Sequence, residues 1–287
     1  MALVVGSAAV ASGMSPLVQE ALYADDILQD GVTFTSRYQK SEAGQIQVVK
    51  YTGDESIEPQ VPGSDFNDSE YANGVVDINC VNGFPKSQKV PAYYAATMPI
   101  NVKAGEVIEV TKAVRNGRQK SALACLLHEG TASSVTTAID ETNIESLILD
   151  ERAAMRKAFG RPDVVLASVD VYNIMLKVAG AKYTPVLNDE VVRTARIGFW
   201  MGMLWVEAPH LGQDYTLKYK DGTNTNSEDT DNVELIMYDH SAFSVIDVLS
   251  ALRIVDSEDF FGSKIQMEID SGFKVTNDKC VRVKSHS

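Results

Sequence analysis

Two short segments of alternating residues flank a long acidic stretch near the N-terminus, and no other feature constrains the fold as much. Ile46 and Val48 alternate with glutamines, and Val76 and Ile78 alternate with polar residues, which is the period-2 pattern of β-strands. Residues 52–70 between them are acidic and rich in Gly and Pro. The pattern predicts a two-stranded ribbon with a solvated tip. An isolated ribbon is marginally stable in water, so it must lie against its own body or against a neighbouring copy, and the residues leave both open.

The composition is that of a globular protein. The chain has 287 residues, 45% apolar and 23% charged, which predicts one large domain or two small ones and excludes the disordered, collagen-like and coiled-coil classes. No apolar run approaches the roughly 18 residues of a membrane span. Three cysteines without a CxxC pair argue against a disulfide scaffold or a structural zinc site, and they fit a reducing cytosol.

The charge is acidic and uneven along the chain. With 26 basic and 39 acidic residues the net charge is −13, which argues against a protein that grips nucleic acid, because DNA binding relies on Lys and Arg. A protein that lies beside nucleic acid without adhering to it remains compatible. Residues 1–80 carry a net −9, residues 81–128 a net +5 and residues 129–287 a net −9. The basic middle either complements the acidic flanks of another copy or forms a solvated face.

An arm and two helices are predicted in the N-terminal half of the chain. Residues 1–13 are apolar but lack the basic residues of a signal peptide, so we expect an N-terminal arm of the mature protein. Ser15 followed by Pro16 predicts a helix to about Leu28. The longest helix is predicted over Lys103–His128. Its valines share one face, but this apolar pattern is interrupted at residues 116–118. We expect a bend or a partly exposed helix there.

The clearest α/β pattern covers residues 145–209. Residues 142–145, Thr-Asn-Ile-Glu, read as a capping box that starts a helix, and residues 164–167 read as a buried strand. Ser168 is expected to cap a second helix that ends at Gly180. Residues 188–196 are predicted as a shorter third helix and residues 203–208 as another buried strand.

The C-terminal part reads as antiparallel sheet. Asp221-Gly222 predicts a hairpin or a surface loop, and strand pattern resumes at residues 235–238. Ile265, Met267 and Ile269 alternate, and residues 270–272 are predicted to turn the chain towards further strands at residues 273–283. Together with the helices this gives an α+β class.

A search for chemistry returns no catalytic, cofactor or metal motif. The four histidines form no HxxxH or HExxH pair, and no glycine-rich phosphate loop or nucleophile elbow occurs. Cys125 and His128 lie three apart on a predicted helix, a spacing that suits a thiol nucleophile. No third residue that would orient them is apparent, so a buried cysteine beside a surface histidine near a helix end is the favoured interpretation. The acidic run over residues 228–231 fails the calcium-loop spacing from Asp221, and a solvated loop is expected.

Four segments in order resemble major capsid proteins of tailed bacteriophages, the Hong-Kong-97-type fold. The segment Ala43–Lys50 begins the ribbon, and Val164–Ser168 contains the first strand of the α/β pattern. The segment Ile197–Pro209 contains the second strand of that pattern, and Gly272–Val283 contains the last strands of the chain. The resemblance implies an N-terminal arm, an extended β-hairpin loop that overlaps a neighbouring subunit, a peripheral domain with a long spine helix, and an α/β axial domain around the ring centres. It places these at residues 1–35, 36–84, 85–140 and 141–250, with strands at 251–287 returning to the peripheral domain.

The function that the resemblance implies is structural and not enzymatic. A major capsid protein self-assembles as hexamers and pentamers into an icosahedral shell around double-stranded DNA, which an acidic inner wall contacts only non-specifically. The expected location is the virion, after assembly in the host cytoplasm. We expect a separate scaffolding protein and a portal as partners, no membrane, and no cofactor, metal or catalytic residue. The alternatives are an encapsulin-type nanocompartment shell and, in a different class, a cytosolic α+β thiol enzyme that uses Cys125 and His128.

Overall fold

The computed structural model describes residues 27–36, 39–40, 46–50, 74–93, 102–158, 160–182, 197–256 and 259–286. The N-terminal arm, most of the helix from Ser15, the acidic ribbon tip and the helix over residues 188–196 lie outside these residues. The described elements are β1 (Gln39–Lys40), β2 (Ile46–Lys50), β3 (Gly74–Ile78), β4 (Asn82–Gly83), β5 (Lys86–Pro91), α1 (Val102–Glu129), β6 (Thr131–Ala132), α2 (Ile144–Lys157), β7 (Val164–Ala167), α3 (Val169–Lys182), β8 (Ile197–Trp200), β9 (Met203–Glu207), β10 (Thr216–Asp221), β11 (Asn224–Asp229), β12 (Val233–Tyr238), β13 (Phe243–Asp256), β14 (Gly262–Val275) and β15 (Val281–Ser285). This mixture confirms the α+β class.

The predicted long helix is present as α1 and continues unbroken through residues 116–118. The helix is partly exposed there, as expected, with Asn116 exposed and Arg118 buried. A Cβ on Gly117 would stand 3.1 Å from the ring of Phe84, so the glycine that weakens the apolar stripe lets an aromatic side chain pack on the helix. The first half of α1 packs its valines on β14 and the second half packs on a different sheet.

A six-stranded sheet forms the α/β part, in the order β6-β15-β12-β7-β9-β8. Strands β7 and β9 are parallel. Val164 and Leu166 of β7 face the core shared with α1, whereas Val165 and Ala167 face the core shared with α2 and α3. The sheet is therefore covered on both faces, which explains why its strands read as continuous apolar runs.

A second sheet is built on the long hairpin of β13 and β14. The two strands pair antiparallel with a register shift between Asp247 and Leu249, and β14 also pairs with β5 and β4. The predicted turn at residues 270–272 is wrong, because β14 runs straight through it. Ser271 is buried. A Cβ on Gly272 would stand 2.7 Å from side-chain atoms of Ile78 and Cys80, so these small residues let residues 78–80 pack closely against β14.

The ends of the predicted α/β helices differ from the sequence prediction. Asn143 is the N-cap of α2 without a side-chain cap hydrogen bond. The capping box does not form, because Asp140 Oδ1 accepts hydrogen bonds from the backbone N–H of Thr142 and of Asn143. Ser168 does cap α3, accepting from Val171 N at 3.4 Å, but the helix continues past Gly180 to its end at residue 182.

Two further sheet features complete the fold. The ribbon has a third, short strand, since β1 pairs with β2 beside the predicted pair of β2 and β3. The last strand, β15, pairs with β12 and β6, so it joins the six-stranded sheet, whereas the prediction returned all of residues 251–287 to the peripheral domain. The predicted hairpin at Asp221-Gly222 is confirmed, with Gly222 at φ 61° between β10 and β11.

Candidate functional site at the ribbon base

The extended ribbon, β1 to β3, is only half-covered by the rest of the chain where its side chains are described. Ile46, Val48 and Val76 are half-buried, whereas Ile78 at the end of β3 is buried. Ile78 packs directly against the backbone of Gly272, with 2.7 Å between its Cγ2 and the position of a Cβ there. The ribbon is therefore attached to the body mainly at its base, residues 78–83.

Two asparagines of the ribbon base hold the turn of the β10–β11 hairpin. Asn79 Nδ2 donates to Asp221 Oδ1 at 2.7 Å. Asn82 Nδ2 donates to Lys220 O at 2.9 Å, and its Oδ1 accepts from Lys220 N at 2.7 Å. Since each amide has both a donor and an acceptor, Asn82 satisfies both backbone groups of one residue.

Lys274 of β14 connects this turn to the end of the long helix. Its Nζ lies 2.7 Å from Glu129 Oε1 and 2.8 Å from Asp221 Oδ2. Glu129, the last residue of α1, also accepts from Val275 N at 2.8 Å and from the hydroxyl of Tyr219 at 3.1 Å. A helix C-terminus normally favours a cation, and Lys274 supplies it beside the Glu129 carboxylate.

The pKa shifts at the ribbon base keep Lys274 and Asp221 charged and Tyr219 neutral. Burial alone would lower the pKa of Lys274, but the hydrogen bonds to Asp221 and Glu129 raise it above its ordinary value. Burial likewise tends to raise the pKa of Asp221, but the hydrogen bonds from Lys274 and Asn79 lower it overall. Burial, followed by the neighbouring Cys125 and Glu129, raises the pKa of Tyr219, so that its hydroxyl stays protonated as a donor.

An open cleft of about 520 Å³ lies between the ribbon, the hairpin and the end of α1. Its lining is mostly polar: Val76, His128, Glu129, Tyr219, Asp221, Asn224, Asn226, Lys274, Val275, Thr276 and Asp278. The cleft separates the ribbon stem at Val76 from α1, the β10–β11 hairpin and the end of β14. It holds no thiol, because Cys125 lies beneath it in the core.

The structure gives no support to a thiol nucleophile at Cys125. The side chain is fully buried, and burial, followed by the Glu129 carboxylate, raises the pKa of the thiol well above its ordinary value. The nucleophile of thiol enzymes is the thiolate. His128 points elsewhere: its Nδ1 lies 2.7 Å from Glu228 Oε1 and its ring packs beside Tyr219. The solvated loop expected over residues 228–231 is wrong for Glu228 and Asp229, which belong to strand β11.

Three metal-ligand side chains meet elsewhere, with ligand atoms within 4.8 Å of one another: Asp163, Asp239 and His240. Each already has a structural partner. His240 Nδ1 contacts Asp163, whose other oxygen accepts from His240 N at 2.9 Å. Asp239 accepts from Ser241 N and from Arg161 N. The group thus joins the start of β7 to the residues after β12, and the absence of a metal site stays a prediction.

Large aromatic side chains are exposed beside the long hairpin and on strand β8, and the sequence analysis did not identify them. Phe261 and Tyr93 lie together at the far end of the long hairpin and are 95% and 71% exposed, with Phe261 O accepting from Ala92 N at 2.9 Å. Phe199 on the edge strand β8 is 76% exposed. No periodicity marks these positions in the sequence. Exposed aromatic residues are typical of surfaces that bind other proteins.

Among the residues that the structure describes, no helix is both long enough and apolar enough to cross a membrane. A scan against protein-family models and a search of curated proteins both return no match.

Solved structures do match this fold across its length. The capsid structure of the cyanophage P-SCSP1u has a TM-score of 0.65 at 11% identity and covers 92% of each chain. Mycobacterium phage Che8 has a TM-score of 0.59 at 15% identity, over 91% of this chain and 97% of that one. A virus-like particle from Pyrococcus furiosus has a TM-score of 0.57 at 8% identity, over 94% and 96%. At these identities the similarity is one of fold, and it confirms the resemblance found in the sequence.

Proposed function

Because this chain has the fold of phage capsid structures over more than nine-tenths of its length, we propose that it is a capsid shell protein. In the finer form of the proposal it is the major capsid protein of a tailed phage and assembles as hexamers and pentamers around double-stranded DNA. The match of fold over more than nine-tenths of both chains is the observation that carries the proposal.

The half-covered ribbon supports assembly on physical grounds. Val48 and Val76 form a cross-strand pair and are both half-buried, so the stem keeps apolar surface that water covers in the single chain. Burying such surface contributes about 25 cal/mol per Å². A neighbouring copy that covers the stem would supply this energy in a head-to-tail contact, and such contacts close into rings when the rotation allows it.

The strand pairing supports the proposed division of the chain. Strand β14 packs on α1, as expected for a peripheral domain over residues 85–140 joined by part of residues 251–287. The six-stranded sheet with α2 and α3 corresponds to an axial domain over residues 141–250, extended by β15. We assign residues 1–35 to an N-terminal arm and residues 36–84 to the extended loop that overlaps a neighbour.

The proposed partners are further copies of this chain, a separate scaffolding protein, a portal, and packaged DNA held without specific contacts. The net charge of −13 supports the last point, because a strongly acidic wall repels DNA and leaves it free to be packaged and released. The proposal locates the protein in the virion after assembly in the host cytoplasm, with no catalytic, cofactor or metal residue.

An encapsulin-type compartment is the second candidate, and the match to the Pyrococcus furiosus virus-like particle favours it. The two functions differ in what the shell contains. Nuclease-protected DNA inside purified particles supports the phage function, whereas a single enclosed protein species supports the compartment.

The test is assembly of the full chain, expressed alone and with a scaffolding protein, followed by light scattering and negative-stain electron microscopy. We expect closed shells from the wild type. Val48→Ser removes apolar surface from the stem and should raise the concentration needed for assembly by about fivefold. Gln47→Ser, one residue away, should leave it within about twofold. A wild-type chain that remains a monodisperse monomer under every condition contradicts the proposal.

A further inference from the structure

The direction in which the extended ribbon leaves the body needs a physical cause. The pairing of β4 with β14 and the apolar contact of Ile78 on Gly272 fix the position of the ribbon base, but neither contact reaches the stem above Ile78 to fix its angle. The cleft of about 520 Å³ beneath Val76 lies where close packing would otherwise set that angle. In the described part of the chain, the directional contacts at the base are hydrogen bonds.

Asn79 and Asn82 supply these hydrogen bonds from two sides of one short segment. They lie three residues apart, and both bind Lys220 and Asp221, the last two residues of β10 before its turn, with three bonds of 2.7–2.9 Å. Two of the bonds go to backbone atoms of Lys220, which are fixed by the β10–β11 ladder. Hydrogen bonds are directional, so this pair of amides restricts rotation of the base where an apolar contact does not.

The turn itself is held in place by the body. Lys274 Nζ contacts Asp221 on one side and Glu129 on the other, and its side chain is 22% exposed. A partly buried charge pair is less screened by salt than a surface pair. Asn79, Asp221, Lys274 and Glu129 therefore form a continuous polar chain from the ribbon base to the last residue of α1.

We propose that Asn79 and Asn82, bound to Lys220 and Asp221, are positioning residues that hold the extended ribbon at its angle to the body and so determine the geometry of the neighbour it reaches. This rests on the proposed function only in its last clause, because the angle of the ribbon is a property of the single chain. A cross-strand hydrogen bond inside the stem, such as that of Gln47 to Asp77 at 2.8 Å, has no such effect.

The test uses hydrogen exchange on the dissociated full chain. Asn79→Ala should speed amide exchange in residues 74–80 by about three- to tenfold and leave α1 and β14 unchanged. Asn79→Asp places two carboxylates together and should have a larger effect. Combining it with Asp221→Asn restores the bond with donor and acceptor exchanged, and should return exchange to within about twofold of the Asp221→Asn single variant, which lacks the same ion pair with Lys274. Gln47→Ala is the control and should leave residues 78–80 unchanged.

Shell geometry is the second measurement. Where the wild type forms closed shells, Asn79→Ala should give shells of mixed size or open sheets at an unchanged melting temperature, and the paired exchange should restore uniform shells. Unchanged exchange in Asn79→Ala, no rescue by the pair, faster exchange throughout the body, or shells of wild-type geometry each overturn the proposal. If the wild type forms no shells, the proposed function fails, and the exchange experiment still decides whether the amides hold the ribbon.

Discussion

Replacing Gly272 by alanine should push the ribbon base away from the body. The new Cβ would stand 2.7 Å from both Ile78 Cγ2 and Cys80 Sγ and 3.2 Å from Asn79 O. Ordinary contact begins at 3.4 Å, so two side chains must each move by about 0.7 Å. Ile78 is buried and β-branched, which leaves it few rotamers, whereas Cys80 is half-buried and can rotate. Overpacking typically costs about 1–3 kcal/mol, and we expect about 1–2 kcal/mol here.

The melting temperature measures this cost, and Gly180→Ala is the matched control. For 287 residues the unfolding entropy is about 0.6 kcal/mol/K, so Gly272→Ala should melt about 2–3 °C below the wild type. Gly180 lies in α3 with no atom within 4 Å of an added Cβ, and alanine there should raise the melting temperature by about 1–2 °C, because it favours helix. A Gly272→Ala variant that melts at or above the wild-type temperature refutes the close approach of the ribbon base.

Three further predictions concern the polar groups of the core. Arg118→Met removes a two-bond contact with Asp247 at 2.9 and 3.1 Å and should cost about 1–2 kcal/mol in denaturant unfolding, since Asp247 is 39% exposed and is rehydrated; an unchanged midpoint contradicts this. The pKa of Asp221 is lowered in the folded chain, so its contribution is complete above about pH 4 and is lost as pH falls through the folded value. The stability gap between wild type and Asp221→Asn should therefore shrink from pH 6 to pH 3, and a constant gap contradicts the ion pair. A thiol reagent at pH 8 should label Cys80 first and Cys125 only on unfolding, because burial raises the pKa of Cys125; rapid labelling that His128→Ala abolishes would restore the thiol-enzyme alternative.

Apolar periodicity was enough to predict the elements that have strong local patterns. Helix α1, the buried strands β7 and β9, and the alternation in β14 all lie where the sequence places them. Helix α1 and strand β14 each bury a face whose spacing follows from 3.6 or 2 residues per repeat, whereas β7 and β9 are short apolar runs buried on both faces. The resemblance added the order of these elements, which periodicity alone does not contain.

Small and polar residues misled the sequence analysis where their role was packing rather than turning. Residues 270–272 have turn composition, yet Gly272 serves the approach of Ile78 and Ser271 Oγ donates to Asp247 at 2.6 Å. The irregularity in this hairpin is the register shift after Asp247. It lies on β13, the strand that pairs with β14, and not at residues 270–272. Sequence composition reports that a residue is small or polar, but not which neighbour requires it.

The candidate site was harder to predict than the fold, because it is made by residues distant in sequence. Asn79 and Asp221 are 142 positions apart, and each has the composition of an ordinary surface residue. The Asp-Gly pair in the sequence predicted a hairpin turn at Asp221. It did not indicate that Asp221 would accept a hydrogen bond from Asn79.

Buried polar side chains fix how the elements of this fold lie relative to one another. Lys284 on β15 is buried, with its Nζ 3.1 Å from Glu234 Oε2 and 2.6 Å from Thr137 O. Its neighbour Val283 faces the core shared with α1, so Lys284 lies on the opposite face of the sheet. In a sheet with one solvent-exposed face, a lysine at this position would be in contact with water. Because this sheet is covered on both faces, the lysine must find partners inside, and it joins β15 to β12 and to the segment after α1. Lys274 does the same at the ribbon base. Apolar contacts make this part of the chain compact, and the directed ion pairs of Lys284 and Lys274 fix how these elements lie relative to one another.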